Sequence, residues 1–134
     1  MTDSADDAAI RNVIESWAAA VRAKDMAGVL ANHTDDILMF DVPEPLYSRG
    51  RDAYRATWEL FFQYNTGGPG AFDVSEIAVT ASGDVAFATA ILTIFGSPLR
   101  LSMGLRREDG RWLIAHEHHS YAVKLDETDP GNGG

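Results

Sequence analysis

Hydrophobic residues near the start of the chain recur at the spacing of an amphipathic helix. Ile10, Ile14 and Trp17 fall on one face of a helix with 3.6 residues per turn. Asp3 or Ser4 can cap the first turn, because both side chains accept hydrogen bonds from backbone N–H groups that have no partner within the helix. The pattern predicts a long helix that begins at these residues and buries its apolar face.

Two more helices and one strand are predicted before residue 66. Asp25 can cap a short helix that carries Met26 and Val29. Residues 35–42 (DDILMFDV) are typical of a strand, which ends at the PEP sequence because proline cannot continue a β-ladder. After Gly50, a third helix is indicated by residues that share one helical side: Ala53, Tyr54, Thr57, Trp58, Phe61 and Phe62.

Only strand patterns follow the TGGPG sequence, which interrupts regular structure at residues 66–70. Gly83 and the EDG sequence supply turns for two hairpins. The four predicted strands are residues 71–82, 84–95, 99–107 and 111–125. This order of elements predicts an α+β domain in which three N-terminal helices pack on a curved, mainly antiparallel mixed β-sheet.

Composition and charge narrow the function classes. The chain of 134 residues fits a single domain at residues 1–125, with a disordered acidic and glycine-rich tail at residues 126–134. The formal net charge of −9 argues against a nucleic-acid partner, because a phosphate backbone is bound by a basic surface. No stretch approaches the length of a membrane span, and the start is too acidic for a secretory signal, so a cytoplasmic location is expected.

Three segments of the chain resemble the nuclear transport factor 2-like superfamily, which includes the ketosteroid isomerases and the SnoaL-like polyketide cyclases. These segments are AIRNVIESWAAAVRAKDMAGVLANHTDDILMFD, SRGRDAYRATW and REDGRWLIAHEHHS. The resemblance implies a cone-shaped domain whose helices and concave sheet enclose one pocket for a small apolar molecule. It also implies a homodimer or a larger assembly.

Asp41 is the polar exception in an apolar strand. Alternation places it on the same face as Ile37 and Met39, and a carboxylate that apolar groups desolvate becomes a stronger base. A simpler interpretation is a strand-end aspartate that caps the loop before Pro43. The ketosteroid isomerase resemblance favours the first interpretation, because the proton-shuttling aspartate of those enzymes falls at this position.

The HEHH sequence at residues 116–119 divides between two faces of the last predicted strand. Strict alternation places His116 and His118 on the face of Ile114, and Glu117 and His119 on the opposite face, unless a β-bulge reverses the assignment. The association domains of calmodulin-dependent kinases carry a similar W-x-x-V-H-x-H-x-S run. That resemblance implies that Glu117 and His119 face the pocket, where they are candidate acid/base residues.

A metal site is the alternative interpretation of these histidines. His116 and His118 have the spacing of some metal-ligand pairs, and His33 is the only other histidine that could add a third ligand. Packing or hydrogen bonding is the commoner role of such a pair, so no metal is expected. No phosphate-binding glycine loop, serine triad or zinc spacing occurs, so no cofactor is expected either.

The resemblance to ketosteroid isomerases breaks down at the oxyanion donors. Those enzymes hold the enolate oxygen with a tyrosine on the first helix and a protonated aspartate on the sheet. Here Trp17 takes the helix position, and the sheet position falls near Ser102 or Met103. Steroid isomerisation is therefore not expected.

Two functions remain open. One is a cofactor-independent enzyme of the isomerase, cyclase or lyase type, with Asp41, Glu117 and His119 as catalytic residues. The other is a module of the same fold that binds a ligand or assembles without turnover. In either case the predicted ligand-binding residues are Trp17, Tyr54, Trp58, Phe62, Met103 and Tyr121. Core packing is the simpler role for most of these side chains.

Overall fold

A computed structural model describes residues 2–125, so the predicted disordered tail lies outside the described residues. The three helices are α1 (Ser4–Arg22), α2 (Met26–Leu30) and α3 (Arg51–Tyr64). The side chain of Asp3 accepts a hydrogen bond from the N–H of Ala5 at 2.7 Å, and Asp25 caps α2 in the same way. Within the described residues, no helix combines the length and the apolar character needed to cross a membrane.

The six strands form one open mixed sheet with the order β2-β1-β6-β5-β4-β3. Its strands are β1 (His33–Phe40), β2 (Ser48–Arg49), β3 (Asp73–Ser82), β4 (Val85–Ile94), β5 (Ser97–Glu108) and β6 (Arg111–Ser120). Parallel pairing joins only β1 to β6, and every other pair of neighbouring strands in residues 2–125 is antiparallel. The helices pack against this sheet, so the predicted α+β class is confirmed.

A β-bulge at Ala115 changes which side chains of β6 are buried. Ile114 pairs with Leu105 of β5, whereas His116 pairs with Gly104, so Ala115 has no partner on that strand. Before the bulge the buried residues include Ile114, and after it they are Glu117 and His119. The strict alternation that grouped Trp112 and Ile114 with His116 and His118 is therefore wrong, because the extra residue shifts the phase of the strand.

Gly28 lies where α2 crosses α1. A Cβ atom at this position would lie 2.8 Å from the Cβ of Ala20 and 2.7 Å from Oδ2 of the capping Asp25. A shift of α1 or of the helix cap would lower the stability of the fold. The reason is that α1 carries part of the hydrophobic core and that Asp25 accepts a hydrogen bond from a backbone N–H in the first turn of α2. The close approach of the two helices therefore requires glycine.

We expect Gly28→Ala to lower the free energy of unfolding by about 1–2 kcal/mol. Overpacking costs roughly 1–3 kcal/mol, and the better helix propensity of alanine returns up to about 1 kcal/mol. Urea denaturation measures the change. Ala27→Gly, at an exposed position of the same helix, is the control for propensity alone. Stabilisation by Gly28→Ala would contradict the packing argument.

Candidate active site

Glu117 lies at the centre of a buried network of polar side chains. Its carboxylate is completely buried, and it accepts a hydrogen bond from the hydroxyl of Tyr54 at 2.5 Å. Nε2 of His33 lies 2.7 Å from one carboxylate oxygen, and Nε2 of His119 lies 3.2 Å from the other. Burying a carboxylate is unfavourable unless donors surround it, and here three side chains from β1, α3 and β6 do so.

The donors around Glu117 are themselves held in place. The indole N–H of Trp17 donates to the hydroxyl of Tyr54 at 3.0 Å, which links α1 to α3. Nδ1 of His33 lies 2.8 Å from the carbonyl oxygen of Ala31. Contacts outside the network therefore hold both Tyr54 and His33 in position. The indole N–H of Trp17 already has an acceptor within the protein.

Asp41 connects this network to the surface. Nδ1 of His119 lies 3.3 Å from the Asp41 carboxylate, which also accepts the backbone N–H of Val42 at 2.8 Å. The parallel pairing of β1 with β6 places Phe40 opposite His118, and it therefore brings the next residue of each strand together. The Asp41 side chain is 25% exposed, against 5% for His119 and none for Glu117, so Asp41 is the accessible member of the trio.

The charges in the network stabilise one another. Burial opposes ionisation of Glu117, but hydrogen bonds from His119 and His33 outweigh it and lower the pKa of Glu117 to about 2. Burial also opposes the charged form of His119, yet Asp41 and Glu117 raise the pKa of His119 to about 9. Burial and the neighbouring Glu117 raise the pKa of Tyr54 well above its usual value. Near neutral pH, an imidazolium therefore lies between two carboxylates, and Tyr54 keeps its proton.

These shifts predict a pH-dependent stability. The raised pKa of His119 stabilises the fold fully below pH 6.5, and this contribution is lost as the pH rises through about 9. The lowered pKa of Glu117 stabilises the fold above pH 4.5 and loses its effect as the pH falls through about 2. We expect the free energy of unfolding in urea to fall by roughly 1–3 kcal/mol between pH 5.5 and 9.5.

Two histidines of β6 provide a matched comparison for this pH dependence. His119→Asn should flatten the change in the free energy of unfolding, whereas His118→Asn should retain it because His118 is exposed. A free energy of unfolding that stays constant or rises between pH 5.5 and 9.5 in the unaltered protein would contradict the assignment.

A cavity of about 640 Å³ lies beside Asp41, between α3, the loop after β1 and the far end of the sheet. Most of its lining is apolar. The lining residues are Asp41, Val42, Pro43, Glu44, Pro45, Ser48, Ala53, Ala56, Thr57, Leu60, Phe61, Tyr64, Ile94, Leu99 and Tyr121. Such a volume suits a small organic molecule, and Asp41 is the point where the cavity meets the buried network.

The structure brings the three candidate catalytic residues together but places most of the candidate ligand-binding residues elsewhere. Of that second group, Tyr121 lines the cavity. Trp17, Tyr54, Trp58 and Met103 are buried in the core, where periodic apolar side chains usually lie. The ring of the half-buried Phe62 lies 5.9 Å from the ammonium group of Lys24 instead of facing the cavity.

Two parts of the site were missed from the sequence. The sequence indicates His33 only as a possible third metal ligand, whereas the structure places it against the buried carboxylate of Glu117. No local pattern indicates this contact, because it joins residues 84 positions apart in the chain. The loop residues Pro43, Glu44 and Pro45 were interpreted only as a strand end, and they form one wall of the cavity. The length of this loop, which precedes the two-residue strand β2, was the available signal.

His116 and His118 lie apart from the cavity. Nδ1 of His116 donates to the carbonyl of Leu38 at 2.7 Å, and the ring of Phe40 packs edge-on against both histidines. No group of three or more potential ligands arranged for a metal ion occurs within residues 2–125. Both histidines therefore pack against Phe40, and His116 also forms a hydrogen bond.

Comparison with known proteins agrees with this architecture. The model of the SnoaL-like domain family matches residues 10–124, which is most of the chain. The chain belongs to the SnoaL-like domain family. No curated protein matches this SnoaL-like domain. The predicted membership of the nuclear transport factor 2-like superfamily is confirmed.

Solved structures show the same fold. A nuclear transport factor 2-like protein of unknown function from Pseudomonas putida is 32% identical to this SnoaL-like domain, with 94% and 93% of the two chains covered and a TM-score of 0.82. A candidate dehydratase of the nuclear transport factor 2-like family from Streptomyces avermitilis is 14% identical, with 92% and 100% of the two chains covered and a TM-score of 0.78. A ketosteroid isomerase-like protein from Erwinia carotovora atroseptica is 22% identical, with 87% and 96% covered and a TM-score of 0.68.

Proposed function

We propose that this SnoaL-like domain is a cofactor-independent enzyme that removes a proton from a mostly apolar, carbonyl-containing small molecule. One observation carries the proposal: Asp41 lines an apolar cavity and also contacts a buried imidazole, which in turn contacts a buried carboxylate. A base must reach its substrate, and Asp41 lines the cavity in which a substrate would bind.

The first step is abstraction of a proton from the carbon next to the carbonyl. An oxygen of Asp41 takes the proton, and the electron pair of the broken C–H bond moves through the new C=C bond onto the carbonyl oxygen. Return of the proton at another carbon completes an isomerisation. Attack of the enolate carbon on a second carbonyl closes a ring, and loss of a β-hydroxyl group as water completes a dehydration.

His119 and Glu117 support this step without touching the substrate. The imidazolium of His119 holds the Asp41 carboxylate in one orientation, and Glu117 holds the imidazolium. Both lie beneath the cavity wall, so we assign His119 and Glu117, which the sequence predicts as catalytic residues, to positioning roles. Trp17 cannot polarise the carbonyl, because its N–H is donated to Tyr54.

Hydroxyl groups in the cavity are the available donors for the enolate oxygen. Tyr64 and Tyr121 line it, and each can donate one hydrogen bond. The hydroxyl of Thr57 already donates to the carbonyl of Ala53 at 3.2 Å and lies 3.4 Å from the hydroxyl of Ser48. The ketosteroid isomerase-like and dehydratase-type descriptions of proteins with this fold also support chemistry that starts at an acidic C–H bond.

Deuterium uptake tests the proposal directly. A cyclic enone and a cyclic ketone of matched size are incubated with the protein in D₂O, and NMR follows loss of the α-proton signals. Uptake above the buffer rate that is lost in Asp41→Asn supports the proposal, and Asp35→Asn, which removes an exposed carboxylate from the strand that precedes Asp41, is the control. Binding of both probes without any exchange would favour the alternative of a ligand-binding module.

A further inference from the structure

Every charged side chain that lines the cavity within the described residues is a carboxylate. The two are Asp41 and Glu44, and no lysine, arginine or histidine shares the lining. His119 offsets the charge of Asp41. Within residues 2–125 Glu44 has neither an ion pair nor a side-chain hydrogen bond, so the cavity wall retains an uncompensated negative charge.

Aromatic rings lie in the same cavity wall. Phe61, Tyr64 and Tyr121 line the cavity, and the two tyrosines are 82% and 45% exposed. The negative face of an aromatic ring attracts a cation, most strongly where the ring is a tyrosine or a tryptophan. Accessible tyrosine rings beside an unpaired carboxylate make a surface that attracts ammonium groups.

Arg100 lies beside this wall, but within residues 2–125 it forms no ion pair with Asp41 or Glu44. The guanidinium of Arg100 donates to the carbonyl oxygen of Tyr121 at 2.7 Å, but Arg100 is exposed and is not part of the lining. The net charge of −9 also disfavours the approach of an anion.

We propose that the molecule bound in the cavity carries a protonated amine, and that Glu44 is the residue that selects for it. The proposal rests on the proposed function and narrows its substrate class to apolar carbonyl compounds that bear one basic amine. A carboxylate-bearing molecule would meet the uncompensated charge of Glu44 and would bind more weakly than the amine.

A matched set of probes tests this charge selection. Binding of 2-naphthylmethylamine, 2-naphthalenemethanol and 2-naphthoate at pH 7 is followed by calorimetry, since the three share one ring system and differ in charge. We expect the amine to bind roughly tenfold more tightly than the carboxylate, because an exposed ion pair contributes up to about fivefold and cation–π contact about as much again. The alcohol should fall between them.

Variants assign the selectivity to one residue. Glu44→Gln should reduce the preference for the amine about threefold, whereas Glu15→Gln, an equal change of charge on the exposed side of α1, should leave it unchanged. Equal affinities, tighter binding of the carboxylate, failure of all three probes to bind, or an unchanged preference in Glu44→Gln would each overturn the proposal.

Failure of this proposal can be distinguished from failure of the proposed function. Charge selection is a property of binding that requires no turnover, and Asp41-dependent deuterium uptake by neutral ketones requires no amine. A protein that exchanges neutral ketones but binds the three naphthyl probes equally retains the function and loses the substrate class.

Discussion

Glu117→Leu is expected to lower the free energy of unfolding by about 3–5 kcal/mol. Leucine is apolar and can accept no hydrogen bond, so the hydroxyl of Tyr54 and the Nε2 atoms of His33 and His119 would lose their shared acceptor. All four side chains are buried, and water cannot replace the missing acceptor without opening the core.

Two further variants make this expectation specific. Glu117→Gln keeps the volume and one acceptor oxygen, so it should cost less than leucine, although its NH₂ group would face donors. Glu15→Leu, at an exposed position of α1, should change the free energy of unfolding by no more than about 0.5 kcal/mol. Urea denaturation at pH 7 measures all three, and a loss below about 1 kcal/mol in Glu117→Leu would show that Glu117 is not the acceptor that holds the network.

The helices and most strands could be predicted because their signals are local. α1 combines a capping Asp3 with sustained helical periodicity. The strand before the PEP sequence was predicted from its apolar residues, although β1 ends at Phe40, two residues before the predicted end at Val42. The two-residue strand β2 carries too few residues for any periodicity. The bulge at Ala115 depends on the pairing of β6 with both β1 and β5. The strand contains no glycine or proline from which the bulge could be predicted.

The site depends on contacts between distant parts of the chain. An aspartate after a run of apolar residues indicates Asp41, but its contact with His119 requires parallel pairing between β1 and β6, which sequence periodicity does not encode. The aromatic residues of α1 and α3 showed helical spacing, and spacing alone does not distinguish a core side chain from a cavity wall. Assembly into a homodimer and a cytoplasmic location stay predictions.

Asp41→Asn is expected to lower the rate of α-proton exchange by about 10²–10⁴-fold, the usual contribution of a positioned general base. An amide oxygen is far less basic than a carboxylate and cannot hold the abstracted proton. Asparagine can still accept the N–H of Val42 and the proton on Nδ1 of His119, so the geometry of the loop should survive. The rate constant of the chemical step should therefore fall, while the affinity for the ketone stays nearly unchanged.

The distinction between binding and chemistry decides what the Asp41 variant means. Initial rates of deuterium uptake over a range of ketone concentrations separate kcat from KM, and far-UV circular dichroism verifies the fold. A lowered kcat with an unchanged KM identifies Asp41 as the base, because only the step that breaks the C–H bond has slowed. Exchange within about threefold of the rate of Asp35→Asn would remove Asp41 from the mechanism. The buried network would then serve only to stabilise the interior, since none of its other members reaches the cavity.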